Sequence, residues 1–113
     1  MLISVSKNRE YTCNIGEGVD AVFKYPNATE SLQLFQVMNT QDMASIAGFI
    51  AKMFSRFDGK IEAKDQDGNT FEITTMAQLL ELGGKEAMEL ALKCIAGYRD
   101  AVKQGSDAEK KQK

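Results

Sequence analysis

From Met43 to Phe57 the apolar side chains Met43, Ile46, Ala47, Ile50, Met53, Phe54 and Phe57 recur at spacings of three and four. That is the period of one face of an α-helix, and no other stretch of the chain is patterned as strongly. A stripe that wide has to be covered by other elements of the same domain. Phe49 lies on its flank. Thr40 is a suitable N-cap, with Asp42 at the positive end of the helix dipole, and Gly59 supplies a left-handed stop. The chain has 113 residues, room for one such core and not for two that stand without cross-links.

The partners of this helix can be read from the punctuation around it. Residues 2–25 have extended character: Leu2, Ser4 and Ser6 alternate with Ile3 and Val5, a turn at Lys7-Asn8-Arg9-Glu10 follows, and Tyr11–Ile15 is a second strand-like run. Gly16-Glu17-Gly18 interrupts it, and Ala21–Tyr25 is a third short run, stopped by Pro26. Asn27 and Glu30 have capping-box spacing for a helix in which Leu32, Phe35 and Met38 share a face. After Gly59, Lys60–Lys64 and Thr70–Thr74 flank Asp65-Gln66-Asp67-Gly68-Asn69, a strong hairpin signal. Ile61, Phe71 and Ile73 supply its buried face. Thr75 and Gln78 cap a short helix through Met76, Leu79 and Leu80 that ends at Gly83-Gly84. A last helix runs from about Lys85 to about Val102, with Met88, Ala91, Leu92, Ile95, Tyr98 and Val102 as its stripe. The expected fold is α+β and mostly α-helical: about four helices, a short N-terminal extended region and one central β-hairpin. Residues 1–102 form a single globular domain and residues 103–113 a disordered polar tail.

Composition removes several kinds of chemistry. There is no histidine, so His-based acid–base catalysis, a His-paired nucleophile and a His-ligated metal are all excluded. A net charge of −2 argues against binding nucleic acid or a membrane surface through bulk charge. No apolar run approaches a membrane span, and the N-terminal order of apolar then charged residues is the reverse of a signal peptide. Cys13 and Cys94 read as two reduced thiols in a cytosolic protein. Asp65-Gln66-Asp67-Gly68 resembles part of a calcium loop, but setting Gly68 at the loop's glycine puts Ala63 and Thr74 where the first and last ligands belong. The helix pair around Gly83-Gly84 has a loose helix-turn-helix outline, yet its second helix opens with Glu86 and Glu89 where base-reading side chains belong. No catalytic residue, metal ligand or cofactor site is expected, and the chain does not read as an enzyme.

Surplus hydrophobicity is the more telling feature. Leu34, Val37, Phe49, Leu90 and Cys94 lie off the main stripe of their helices. Either these helices are sandwiched within the core, or these residues form an exposed patch for self-association or for a partner segment. Six methionines suit a surface that accepts varied apolar partners, and are also ordinary core filler.

Several features together resemble the tail assembly chaperones of long-tailed, lambdoid-type bacteriophages. They are the extended start ending Val22-Phe23-Lys24-Tyr25-Pro26, the Met- and Phe-rich helix Met43 to Phe57, the segment Ala77-Gln78-Leu79-Leu80-Glu81-Leu82, the final helix and the Lys-rich end. The resemblance is one of overall character along the chain. It implies a non-enzymatic protein of the host cytoplasm, absent from the mature virion, that coats and solubilises the tape measure protein. It also implies help in recruiting tail tube protein subunits and self-association into spiral or ring oligomers. Many members have a longer frameshifted form, for which Lys110-Lys111 marks a possible slippery site. The partner-binding residues this suggests are Leu34, Val37, Phe49, Leu90 and Cys94. The alternatives are a structural head–tail or tail component of the virion and a small helix-turn-helix DNA-binding regulator.

Overall fold

The alternation of Tyr11, Cys13 and Ile15 with polar neighbours produces the first strand, β1 (Glu10–Gly16), whose odd-numbered side chains are buried and whose even-numbered ones are exposed. The computed structural model describes residues 1–5 and 9–111, with side chains as far as Lys103. Leu2–Val5 carries no regular secondary structure and its apolar side chains are exposed. The turn expected at residues 7–10 lies in part outside the described residues. Gly18, at φ +67°, turns the chain into β2 (Val19–Lys24), which pairs antiparallel with β1 from Glu10 opposite Lys24 to Gly16 opposite Val19.

Two helices follow. In α1 (Ala28–Thr40) the capping box forms as its spacing predicts: the Glu30 amide donates to Asn27 Oδ1 at 2.8 Å and the Asn27 amide to Glu30 Oε1 at 3.1 Å. Thr40 closes this helix instead of opening the next, its hydroxyl donating to the Val37 carbonyl at 2.6 Å. Asp42 is the cap of α2 (Met43–Met53). Its carboxylate accepts from the Ser45 hydroxyl at 2.7 Å and the Ala44 amide at 3.1 Å, and these bonds hold its pKa below the usual aspartate value.

The helix expected to reach Phe57 stops at Met53. Residues Phe54–Asp58 form β3, which pairs antiparallel with β2 and completes a sheet of order β1-β2-β3. The expected fold, with one hairpin as its only sheet, is therefore wrong in its β content. Among the described residues there are four helices and five strands in two sheets, and residues 10–24 of the N-terminal extended region form two strands of a true sheet. The register explains why the pattern misled. Ala21, Val22 and Phe23 face Phe57, Arg56 and Phe54, which leaves Ser55 unpaired as a bulge. A regular strand sends residues three apart to opposite faces, and the bulge returns Phe54 and Phe57 to the same one. Their rings lie 4.6 Å apart, and that of Phe54 lies 5.8 Å from Phe23. A helical stripe and a bulged strand share the same spacing here.

The second sheet is the expected hairpin, β4 (Glu62–Lys64) with β5 (Thr70–Glu72). Asp65 Oδ1 holds its turn by accepting from the Asp67 and Asn69 amides, each at 2.9 Å, with Gly68 at φ +85°. Thr75 caps α3 (Met76–Glu81), and Gln78 ties it to the hairpin by donating to the Glu72 carbonyl at 3.1 Å. The last helix, α4 (Lys85–Lys111), runs past Val102. Its backbone carries on through most of the segment expected as a disordered tail, while the side chains from residue 104 and residues 112–113 lie outside the described set.

The core lies where α4 crosses the inner face of the three-stranded sheet, completed by Ile46, Phe49, Ile50 and Met53 of α2 and by Met76 and Leu79 of α3. Tyr98 is its centre. The side chain is fully buried, 4.9 Å from Phe23 and 6.2 Å from Tyr11 between ring centroids. Its hydroxyl has no hydrogen-bond partner among the described residues, and burial pushes the phenol pKa up. A buried hydroxyl left unpaired costs about 1–3 kcal/mol. Tyr98→Phe is therefore expected to keep or raise the thermal midpoint, and a clear loss in a melting experiment would show that the hydroxyl holds a buried water. On the sheet's other face Val22 is only 1% exposed. Arg56 passes over β2 there, from β3 to Glu10 of β1 at 3.1 Å, and also bonds Asp58 at 3.0 Å.

Candidate partner-binding grooves

Which apolar residues remain outside the core decides what this surface can grip. On α1 the capping box and the αL cap at Gln41 fix the helix so that Leu34 is buried and Val37 and Met38 are half-buried. Leu32 and Phe35, expected to face inward, are 71% and 69% exposed. A comparable substitution occurs on α4, where Met88 and Leu92 are exposed while Cys94 joins Ala91, Ile95 and Tyr98 inside. Met43 at the start of α2 and Leu80 on α3 also face solvent.

The five residues singled out from the sequence are accordingly dispersed. Phe49 and Cys94 belong to the core, Val37 packs against it, Leu34 is a core residue that also lines one groove, and Leu90 lines another. They do not meet in one patch. Cys94 is a protonated thiol at neutral pH, pushed up to about 12 by burial and then by the neighbouring Cys13, whose own pKa is also raised. The signal for the exposed set was present on α1, because Leu34, Val37 and Met38 also form an i, i+3, i+4 stripe and compete with Leu32, Phe35 and Met38.

The first groove, of about 970 Å³, runs between the β4–β5 hairpin and the α3–α4 junction. Ile61, Phe71, Leu79, Leu82 and Leu90 form its apolar wall, and Lys64, Lys85 and Lys93 stand among Glu62, Asp65, Glu86 and Glu89 around it. The charges are mixed in sign. The second, of about 420 Å³, lies between α1 and the later part of α4. Leu34, Phe35 and Met38 form one wall, Val102 the other, and Tyr11, Tyr25 and Pro26 the end. Its charged lining residues are Arg99 and Lys103. A third cation, Arg9, stands with its guanidinium carbon 5.0 Å from the Tyr25 ring centroid.

Neither groove brings together groups for bond-making chemistry. Among the described residues there is no set of three or more Cys, Asp or Glu side chains placed to hold a metal ion, and no helix is long and apolar enough to cross a membrane. What the arrangement can do is bury apolar side chains of another segment, with affinity set by the area covered and selectivity by the charged rim. No protein-family model, curated protein or solved structure matches the chain.

Proposed function

We propose that this protein is a non-enzymatic tail assembly chaperone of a long-tailed bacteriophage. It binds helical segments of the tape measure protein, keeps them soluble during tail morphogenesis and helps bring tail tube subunits to them. The observation that carries this reading is apolar surface left outside the core on every helix: Leu32 and Phe35, Met43, Leu80, and Met88 with Leu92. Leu32 and Phe35 are one helical turn apart, as are Met88 and Leu92, so each pair presents one ridge. Large apolar side chains set side by side in solvent are the kind of surface that a partner covers. The resemblance in overall character to phage tail assembly chaperones supplies the identity of the client. Self-association in the host cytoplasm and absence from the finished virion belong to the same reading.

The test is mass against concentration by light scattering, alone and with the tape measure protein. The expected result is reversible growth into multimers and a soluble complex with that client, both weakened by Phe35→Glu with Leu92→Glu. A monomer at every concentration that leaves the client insoluble overturns the proposal. Recovery of the protein in purified virions would make it a structural tail component instead.

A further inference from the structure

The groove between α1 and α4 differs from the one beside the hairpin in carrying apolar walls with charge of one sign. Arg99 and Lys103 lie on α4 four residues apart, about 6 Å along the axis, and neither has an anionic partner among the described residues. The carboxylate of Glu30, which accepts from the Asn27 amide in the α1 cap, is not part of the groove's lining. We infer that this groove takes an amphipathic helix whose apolar ridge is bordered by two carboxylates one helical turn apart. The inference rests on the chaperone reading for the helical form of the client and adds the chemistry by which a segment is chosen.

Three physical points carry it. First, two helices with an open apolar cleft between them accept a third by ordinary ridge-into-groove packing, with Phe35, Met38 and Val102 as the contacts on this side. Second, the occupant must supply acid. A ridge flanked by Lys would set like charges at Arg99 and Lys103, whereas Glu or Asp at i and i+4 matches the spacing on α4. Third, the same face of a second copy is a poor occupant, because a two-fold contact sets this face against itself and the charged lining residues of both copies are then Arg99 and Lys103 alone.

The experiment uses the full chain and two synthetic 18-residue helical peptides with identical Leu ridges, one flanked by Glu and one by Lys, each followed by fluorescence anisotropy. The Glu-flanked peptide is expected to bind about tenfold more tightly at low salt, an advantage that shrinks at high salt. Arg99→Glu with Lys103→Glu, both at exposed positions, is expected to reverse the order, and Arg99→Gln with Lys103→Gln to erase it. Phe35→Ser is expected to weaken both peptides alike. Equal binding of the two peptides, or a preference that survives charge reversal, overturns the inference. So does multimerisation that charge reversal abolishes while no peptide binds, which would assign the groove to a different face of a second copy. If neither peptide binds yet the tape measure protein is still kept soluble, this inference fails and the chaperone reading stands. If the acidic preference appears but the client stays insoluble, the groove assignment stands and the chaperone reading fails.

Discussion

Gly59→Ala is expected to lower stability by about 3–5 kcal/mol, enough to drop the thermal midpoint by at least ~10 °C. Gly59 follows β3 at φ +111°, a region L side chains rarely occupy, and a Cβ there would stand 2.5 Å from the Gly18 carbonyl oxygen and 3.0 Å from Val19 Cα. Both neighbours are backbone, so no rotamer change relieves the overlap. The end of β3 would have to move away from the β1–β2 turn, and the sheet's third strand would lose its seat. Gly18→Ala is the matched control. Gly18 also has positive φ, +67°, but a Cβ there meets nothing within 4 Å, so only the conformational cost of about 1 kcal/mol applies. Urea melts of the two variants separate the terms. Equal losses would mean that the close approach contributes nothing.

Gly97→Ala is the second large effect, and here two contributions of opposite sign compete. Gly97 is inside α4, where alanine gains about 1 kcal/mol in helix propensity. Its Cβ, however, would stand 2.8 Å from Cys13 Cβ and 3.2 Å from Cys13 Sγ on β1. Overpacking a core contact costs about 1–3 kcal/mol. The nearer atom is Cβ, fixed to the strand, so the helix has to lift off the sheet beside Tyr98. The upper half of that range is expected to apply, for a net loss of about 1–2 kcal/mol. A second substitution sharpens the test. Cys13→Ala removes the sulfur but keeps the Cβ, so Cys13→Ala with Gly97→Ala should recover little of the loss. Full recovery in the double variant would place the conflict at the thiol instead.

Local signals were legible wherever a side chain bonds its own backbone neighbourhood. The Asn27–Glu30 box and the hairpin turn at residues 65–69 form as their spacing predicts, and Thr75 caps α3 through its hydroxyl, while the reciprocal Gln78 oxygen accepts from the Thr74 amide instead of that of Thr75. What periodicity left open was settled by tertiary structure. Phe54 and Phe57 fit the stripe of α2, but β2 has a second edge whose backbone groups need partners, and pairing it draws those residues into β3. On α1 five apolar residues fall within seven positions, so two stripes fit almost equally. The choice between them depends on the angle at which the helix meets α2, which no local pattern encodes. This is why Leu34 became a candidate contact while Leu32 and Phe35, the exposed pair, were assigned to the core. The Arg99 and Lys103 rim was visible as two cations one turn apart, but its meaning came only with the apolar cleft beside it.

The placement of α4 has a consequence for the order in which the chain can mature during synthesis. The strands that form the sheet leave the ribosome before the helix that covers their inner face. Until residues 91–98 are made, Tyr11 and Phe23 have no Ile95 or Tyr98 to meet, and the β1–β2 hairpin with α1 and α2 is a half-built core with its apolar side open. Completion then waits for residues 91–98 and is dominated by contacts between distant parts of the sequence, the slow kind of closure. Under the chaperone function proposed above, a protein that shelters apolar segments of another chain passes through a state that itself needs shelter.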